Sequence, residues 1–432
     1  MAITDIPSYA HLNAADIEEI GRRFDEIERR HRESLGDKDA AYIRGLISTQ
    51  RGLELGSRLL TILAPALTPV AIAGQGLSKI LENLEIGHNV MHGQWDWMND
   101  PEIHSATWEW DNVGPAQGWK HSHNFSHHTY TNILGMDNDV GYGILRVTRD
   151  RKWKPSTAAQ PLTNVILACL FEYAVAFYDV ELGRYFAGRQ SWEETKPRLL
   201  SVIRKVRRQV TKDYVAFPAI AAAAAYAFPQ LGGRWRRDRR TKPTRGRAAL
   251  QAAKRAATTA LAGNLIRNLW AYAVIFCGHF PDDAETFTKR TLDEETRAEW
   301  YLRQMLGSAN FRGGKALTVL SGNLNYQIEH HLYPDMPSNR LSAIGAEVEK
   351  IAKEFGLPYN TDSFARQFLQ VQRTILKLTL PNSWLRAEKF NAPEVRADEA
   401  FERYPEVAAA TGHKELTKGL ALLKKMRPRF LA

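Results

Sequence analysis

The amino-acid sequence predicts an all-α membrane protein, in which about four transmembrane or membrane-embedded helices form two hairpins and carry a helical cap on the cytosolic side. Three observations lead to this prediction. Long apolar segments alternate with strongly basic ones along the 432 residues, prolines interrupt the first apolar segment, and both ends of the chain are polar. A helix that crosses a bilayer needs about 20 mainly apolar residues, a length that several of these segments approach.

The first apolar segment predicts a hairpin. Apolar residues begin near Leu59, and Pro65 and Pro69 interrupt them. Helices end or kink at proline, so we expect the chain to turn at these two positions. The first arm makes a poor spanning helix, because charged residues are expensive in a bilayer. The charged residues on this arm are Arg51, Glu54 and Arg58.

Two further segments are amphipathic. Residues 162–180 are apolar but include Glu172, so a helix in the membrane interface explains them at least as well as a spanning helix. Residues 198–214 alternate apolar and basic side chains, a pattern typical of a helix on an anionic membrane surface.

The second predicted hairpin joins residues 214–231 to residues 257–278. An Arg-rich insertion, residues 232–250, lies between the two arms. If both arms cross, this basic loop lies on the side opposite the cytosolic cap, against the usual excess of Lys and Arg in cytoplasmic loops. Either one arm only dips into the bilayer or the loop is an exception to that rule.

Composition divides the chain into three regions. Residues 1–50 form a polar helical segment, residues 51–360 form the main domain with its membrane helices and cap, and residues 361–432 form a polar and basic helical tail. The tail closes with ELTKGLALLKKMRPRFLA, which predicts a basic amphipathic helix.

Net charge and cysteine usage narrow the classes of partner. The chain carries 58 Lys and Arg against 48 Asp and Glu, a net charge of +10, which favours an anionic partner. No nucleic-acid-binding motif accompanies the basic residues, so membrane lipid is the better interpretation and nucleic acid is not expected. Cys169 and Cys277 lie in apolar runs as expected for buried small side chains, and the N-terminus shows no secretory signal, which favours a reducing cytosol.

Three histidine clusters carry the strongest functional signal. In a helix, residues i and i+4 share a face, so paired histidines at this spacing reach one point. Histidine is the commonest metal ligand, and imidazoles crowd together only where something holds them. The pattern therefore indicates a metal centre built from distant segments. The clusters are HNVMH (His88, His92), HNFSHH (His123, His127, His128) and QIEHH (Gln327, His330, His331).

The order HxxxH, HxxxHH and QxxHH resembles the integral-membrane fatty acid desaturase superfamily, which also includes lipid hydroxylases. The flanking residues add specificity to this resemblance. The segments EIGHNVMHGQWDWMNDP, HNFSHHTYTNILGMDNDVGYG and GNLNYQIEHHLYPDMP look like the actinobacterial branch of acyl-CoA desaturases, the stearoyl-CoA type. The resemblance runs from about Tyr42 to Leu357.

The resemblance implies a non-haem centre of two irons, held mainly by imidazole in a plasma-membrane protein and facing the cytoplasm. It further implies an oxidoreductase that uses O2 as co-substrate and external electrons to place a cis double bond in a fatty acyl chain, with CoA as the expected carrier. A fatty acyl hydroxylase on the same scaffold is the alternative, because both reactions begin by removing one hydrogen. The sequence shows no cytochrome b5 domain, ferredoxin box or flavin fingerprint, so a separate ferredoxin or reductase is expected to supply the electrons.

Seven histidines in the three clusters are few for two irons, so further ligands are expected. His279, in IFCGHFPDD, matches the place of an additional ligand that the family has between its second and third clusters. Gln327 stands where many relatives have histidine, and both direct ligation and an indirect role stay open for it. Asp137 and Asp139 either accept the free N–H of ligating imidazoles or are turn residues. His121 lies outside the spacing and is expected to be a supporting or surface residue.

Other classes fit the clusters less well. A zinc peptidase of the HExxH type would need glutamate where the chain has Asn89. A ferritin-like carboxylate site matches Glu28 with His31 and Glu85 with His88, but it leaves the second and third clusters unexplained. A membrane scaffold that binds zinc structurally differs from the enzyme in iron content and oxygen consumption.

Overall fold

The described part of the chain is almost entirely helical. A computed structural model describes residues 3–137, 139–149, 151–186, 188–232 and 244–385. Within these residues, two three-residue strands, β1 (Asn310–Arg312) and β2 (Thr361–Ser363), pair in parallel. The predicted all-α class is confirmed.

The α-helices of the first part of the chain follow one another in the order α1 (Ala14–Glu33), α2 (Asp37–Leu63), α3 (Thr68–Ile80), α4 (Asn89–Met91), α5 (Ala116–Trp119), α6 (His128–Tyr130), α7 (Gln160–Cys169), α8 (Phe171–Tyr178), α9 (Leu182–Phe186), α10 (Trp192–Val210) and α11 (Phe217–Ala227). The wider π-helical geometry is found at Leu81–His88, Lys120–His127 and Thr211–Ala216.

The second part of the chain adds α12 (Arg245–His279), α13 (Arg297–Gly307), α14 (Lys315–Leu320), α15 (Gln327–Leu332), α16 (Leu341–Glu354) and α17 (Phe364–Lys377). Residues 245–250 of the predicted Arg-rich insertion belong to α12. Residues 233–243 of that insertion, and the C-terminal basic helix expected within residues 415–432, lie outside the described residues.

The first predicted hairpin turns where its prolines predict. Helix α2 ends at Leu63, a single turn at Pro65–Leu67 follows, and α3 begins at Thr68 and packs against α2. Pro65 has no backbone N–H to continue the hydrogen bonds of α2, whereas Pro69 lies in the first turn of α3, where proline is tolerated.

The second predicted hairpin brings α11 against α12. Alanine lines the contact from both sides, and side chains this small let the two backbones approach closely. Helix α12 also packs against α3, so the two hairpins form one helical group. The buried residues of this contact are Ile62, Phe217, Ala221, Ala225, Ala248, Ala252 and Ala256.

The predicted count of four spanning helices is not confirmed. By length and composition, α12 alone is suited to cross a membrane, and Pro155–Cys169 with Phe171–Tyr178 form a second candidate that is bent by 98°. Helix α2 carries the charged residues noted above, and α11 has only 11 residues. Large apolar side chains are nevertheless exposed on these helices, an outer surface of the kind that contacts lipid. Among them are Leu55, Leu63, Val70, Ile220, Phe228 and Leu261.

Charged side chains inside the helical group are paired. The Asp213 carboxylate is 1% exposed and lies 3.0 Å from Arg58 and 3.1 Å from Lys79. Glu172 on α8 pairs with Arg267 on α12. A buried charge is costly unless a partner compensates it, and these pairs satisfy that requirement. Glu172 therefore points into the protein.

Helix α10 covers most of the basic segment predicted for a membrane surface. Leu200 and Ile203 are exposed on it, and so are Arg204 and Arg207. Lys205, on the opposite face, is buried, and its Nζ lies 2.8 Å from a Glu109 carboxylate oxygen. The outward mixture of apolar and basic side chains matches the amphipathic pattern on which the prediction rests.

The N-terminal residues pack on the cap that carries the third histidine cluster. An Asn13–Asp16 capping box starts α1, and Phe24 on α1 meets the Tyr301 ring of α13 at 5.5 Å between centroids, nearly edge-on. Tyr9 is fully buried and donates from its hydroxyl to the Leu302 carbonyl at 3.1 Å. The same core includes Ile328 and Leu332 of α15, Ile344 and Val348 of α16, and Leu306 of α13.

Replacing Phe24 by alanine is expected to destabilise the cap. Truncating a fully buried phenylalanine typically removes about 3–5 kcal/mol of unfolding free energy, through lost transfer energy and the cavity left behind. Thermal unfolding of the purified protein in detergent measures the effect, with the exposed Glu18→Ala on the same helix as control. Equal unfolding temperatures for the two variants would show that α1 does not stabilise the cap.

Candidate metal centre

The first histidine cluster lies where a π-helical segment returns to α-helix. Residues Leu81–His88 are π-helical, and α4 follows directly. His88 and His92 converge, with 3.2 Å between their Nε2 atoms, and both are buried. Asn89 stands between them and places its Oδ1 3.1 Å from His88 Nδ1, while its Nδ2 donates to the Glu85 and Gly322 carbonyls. π-Helical segments are frequent at functional sites.

The second cluster repeats this arrangement and adds carboxylate anchors. His123 and His127 lie in the π-helical segment Lys120–His127, and His128 begins α6. His127 Nδ1 lies 3.0 Å from both Asp137 carboxylate oxygens, and His123 Nδ1 lies 3.0 Å from Asp139 Oδ2. The two aspartates therefore accept imidazole N–H groups. This is one of the two roles that the sequence left open for them, the other being that of turn residues. Such anchoring turns the opposite nitrogen, Nε2, toward a metal.

The third cluster lies on α15 and meets the end of α12. His330, His331 and Gln327 are buried, and Gln327 Nε2 is 3.1 Å from Nε2 of His279, the last residue of α12. His331 Nδ1 is 3.0 Å from the Gln304 amide oxygen. The structure thus brings His279 and Gln327 to the clusters, while the role of Gln327 as a ligand stays a prediction.

All eight histidines assigned to the site converge. Their ligand nitrogens form three overlapping groups, within each of which every ligand atom lies within 4.8 Å of the others. The His128 ring connects the groups, at 4.7 Å between centroids from His92 and 4.5 Å from His331. The arrangement is compatible with a site for more than one metal ion. The groups are His88, His92, His123 and His330; His123, His127 and His128; and His127, His279 and His331.

The structure leaves the other candidate residues outside these groups. His121 is exposed and stacks on Phe125 at 6.0 Å between centroids. Glu85, the acidic residue of the ferritin-like alternative, is fully buried, and Tyr42, Asn323 and Ser338 donate hydrogen bonds to its carboxylate. Its carboxylate therefore serves the packing of the cap, and the ferritin-like alternative loses its main residue.

Some supporting residues escaped the sequence reasoning. The Trp119 ring stacks on His123 at 4.5 Å and meets His88 and His92 at 5.3 Å each. Gln304, besides accepting from His331, donates to the His128 carbonyl at 3.1 Å. Gln304 lies on α13, outside the three clusters in the sequence. The one signal that could have identified it is its position as a polar residue on a buried helix face. Trp119 does adjoin the second cluster, but tryptophan is more often a core residue.

The protonation of the imidazoles favours metal binding. Burial lowers the pKa of His88 to about 4 and holds those of His92, His128 and His330 well below the usual value, because the charged form loses its hydration. Burial also acts on His127, but the carboxylates of Asp137 and Asp139 outweigh it and raise its pKa to about 8. Nearly all of these rings are therefore neutral at pH 7, the form that ligates metal.

Unpartnered nitrogens in the cluster indicate whether its residues suit a metal ion. Among the described residues, the buried Nε2 atoms of His127, His128, His330 and His331 have no hydrogen-bond partner. Buried polar atoms without partners are rare because each costs free energy, so several in one place indicate a missing ligand. Imidazole suits iron, zinc and copper alike. The donor set therefore fits transition-metal ions, iron among them.

An apolar cavity adjoins the histidines. His88, His123 and His279 contribute to its wall, and so does Gln327. Its apolar lining comes from the first π-helical segment, α8, α12 and the turn before α15: Leu84, Phe171, Val175, Ala176, Ala271, Ile275 and Leu324. The cavity therefore places an apolar surface directly beside the convergent histidines.

A helical scaffold whose buried imidazoles meet beside an apolar cavity defines a metal-dependent enzyme that acts on lipid-like chains. The chain belongs to the fatty acid desaturase family, whose sequence profile matches residues 61–363. It is accordingly an oxidoreductase that desaturates fatty acids, as the resemblance predicted.

Similar proteins carry related activities. The chain is 50% identical over 405 residues to the NADPH-dependent stearoyl-CoA 9-desaturase of Mycobacterium tuberculosis, covering 93% of this chain and 89% of the relative. It is 22% identical to the sn-1 linoleoyl-lipid 6-desaturase of Synechocystis, over 79% of this chain and 88% of that protein. A Caenorhabditis elegans Delta(5) fatty acid desaturase is 34% identical, but over only 21% of this chain and 22% of its own.

Replacing Asp137 by asparagine is expected to weaken metal binding without removing a ligand. The variant loses the charge that orients His127 and raises its pKa, and loss of such supporting partners typically costs about 10- to 100-fold in metal affinity or activity. Metal content after dialysis against graded chelator measures the affinity. The exposed Asp37→Asn is the matched control. Equal retention of metal by both variants would contradict a supporting role for Asp137.

Proposed function

We propose that the chain is an O2-dependent fatty acyl-CoA desaturase with a centre of two non-haem irons. The observation that carries the proposal is the convergence of eight imidazoles, four of them with buried and unpartnered Nε2 atoms, beside an apolar cavity in a member of the desaturase family.

The ligand set of the proposal follows the convergent groups. His88, His92, His123 and His330 hold one iron, while His127, His279 and His331 hold the other. His128 lies between the two positions, and Gln327 acts at the second position, directly or through His279. Bound iron supplies the activation of dioxygen that removal of hydrogen from an unactivated methylene pair requires.

The surrounding residues position and shield this chemistry. Asp137, Asp139 and Gln304 fix imidazole rings through their Nδ1 atoms. The apolar lining of the cavity holds an extended acyl chain and excludes water from it. Because the cavity wall includes His88, His123 and His279, a methylene pair within the bound chain lies against the centre.

The proposed acyl carrier and position of attack follow from the activity of the Mycobacterium tuberculosis relative. That relative is a stearoyl-CoA 9-desaturase, so we propose CoA as carrier and position 9 of a saturated chain as the site of the double bond. No observation favours the hydroxylase alternative, and product analysis separates the two because only the hydroxylase retains an oxygen atom.

The reaction defines what must enter the site. One saturated acyl chain, one O2, two electrons and two protons give one cis-unsaturated chain and two waters. The same relative is named as NADPH-dependent, so NADPH is the proposed source of electrons. We propose that a separate ferredoxin or reductase transfers them, because the chain shows no flavin fingerprint.

The placement in the cell and the division of the chain are part of the proposal. The family is associated with membranes, and α12, with the bent pair α7 and α8, supports insertion into the bilayer. We propose that the metal centre faces the cytoplasm, where CoA esters and NADPH are found. Residues 51–360 would form the catalytic domain, between the N-terminal segment 1–50 and the tail 361–432.

Replacing His127 or His330 by alanine is expected to remove both iron and activity, because each takes a nitrogen from one iron position. His121→Ala is the matched control, since His121 is exposed and belongs to none of the convergent histidine groups. The measurements are the iron content of the purified proteins and the fatty acid profile of an expressing host by mass spectrometry. A new mono-unsaturated acid with either His127→Ala or His330→Ala would refute the ligand assignment.

The electron route gives a separate prediction. The purified, iron-loaded chain with stearoyl-CoA, O2 and NADPH is expected to form no oleoyl product until a ferredoxin and its reductase are added. Gas chromatography of the released acids provides the measurement. Product formation with NADPH alone at the full rate would show that the chain accepts its electrons directly and would remove the donor protein from the proposal.

A further inference from the structure

Asp179 connects the interior of the protein to its surface. It caps the C-terminus of α8 and lines the apolar cavity beside the histidines. It also lines a second cleft of about 480 Å³, formed by the start of α10 and by α5 with the residues on either side of it. Among the described residues, no other side chain lines both spaces. Its carboxyl group therefore stands in the wall between them.

The outer cleft is open to the surface and carries polar side chains in its wall. His121, Glu194, Arg198 and Ser201 contribute to its wall. His121 and Glu194 are exposed, so the cleft is continuous with the surface. Protons from the medium can therefore reach the outer side of Asp179.

The inner side of Asp179 faces the proposed reaction site. Ser122, His123 and Asp139 line the same cavity, together with His88. The Ser122 hydroxyl, which donates to the Trp119 carbonyl at 3.3 Å, acts electrostatically on the Asp179 carboxyl group. The Oδ2 atom of Asp179 is buried and has no hydrogen-bond partner among the described residues. A buried carboxyl oxygen left free in a cavity wall is unusual and indicates a group that bonds transiently.

The charges around Asp179 favour its protonated form. Burial raises its pKa to about 8, and the carboxylates of Asp139 and Glu181 act in the same direction. The Ser122 hydroxyl and the Arg198 guanidinium oppose this shift without cancelling it. The side chain is therefore a neutral carboxylic acid near pH 7 that can both give and take a proton.

We propose that Asp179 is the proton-transfer residue through which protons pass from the outer cleft into the cavity beside the histidines. The inference rests on the proposed function, in which each turnover consumes two protons. The Asp179 carboxyl group releases its proton to an acceptor on the cavity side and takes another from the cleft. The residue returns to its starting state each time, and no electron passes through it.

The first test compares substitutions at Asp179. In Asp179→Asn, turnover is expected to fall by about 100-fold, a typical contribution of one positioned proton donor, while the KM for stearoyl-CoA and the iron content stay unchanged. Asp179→Glu keeps a carboxyl group and is expected to recover most of the rate. Glu193→Gln, an exposed acid on the first turn of α10 that lines neither space, is the matched control.

Chemical rescue adds a readout that a structural role would not move. Asp179→Ala leaves space beside an open cleft, so formic or acetic acid is expected to restore turnover in proportion to the concentration of undissociated acid. In Asp179→Asn, the solvent deuterium isotope effect on turnover is expected to exceed that of the wild type, because proton delivery then limits the rate.

A third measurement needs neither iron nor turnover. Infrared difference spectra of the metal-free protein are expected to show the C=O band of a protonated carboxyl group that shifts in D2O and is absent in Asp179→Asn. If Asp179→Asn folds poorly, Asp179→Glu serves for the assignment, because its band is expected to remain at a shifted frequency.

The outcomes separate the two proposals. Four outcomes would each overturn the proton-transfer role. In Asp179→Asn these are full turnover, a raised KM with unchanged kcat, and loss of iron. The fourth is a loss of turnover that is accompanied neither by chemical rescue in Asp179→Ala nor by a larger isotope effect in Asp179→Asn. The lack of a D2O-sensitive carboxyl band would also overturn it. A wild-type protein that forms no unsaturated product with its electron donors would instead refute the proposed function.

Discussion

The burial of eight imidazoles in mutual contact is the constraint on which the rest of the structure depends. Burial lowers the pKa of most of these rings, so they stay neutral. The cluster is therefore stable only if each ring is held in one orientation and its ring nitrogens have bonding partners. Asp137, Asp139 and Gln304 do this from the Nδ1 side. The Nε2 atoms on the opposite side of these rings converge on shared points, as the ligand atoms of a metal centre do.

The helices are built around this requirement. Two clusters begin in π-helical segments, where the wider turn changes the direction of successive side chains and lets neighbouring histidines face one centre. Helix α12 runs 35 residues to end at His279, so one continuous element links the bundle to the site. Helix α15 contributes the third cluster from within the cap core, which the N-terminal helix α1 completes.

The cavity beside the centre belongs to the same arrangement. Helices α8 and α12 form its apolar sides, and the paired Glu172 and Arg267 connect these two helices. Because the histidines and the acyl-binding surface share helices, a shift of α12 relative to α15 would change both metal geometry and substrate position. Asp179 stands at the end of α8, where the cavity wall approaches the surface.

The sequence by itself predicted the helical class, the turn at Pro65 and all eight histidines that the structure brings together, because periodicity, proline and dense imidazoles act locally. It also placed the aspartates after the second cluster but left their role open. Only the tertiary structure decided that role, the π-helical turns, the part played by Gln304 and Trp119, and the cavity that Asp179 shares with the cleft. These features depend on contacts between segments as much as 200 residues apart, such as Thr131 with His331. The predicted number of membrane helices is not confirmed, because apolar runs that pack against one another resemble runs that face lipid.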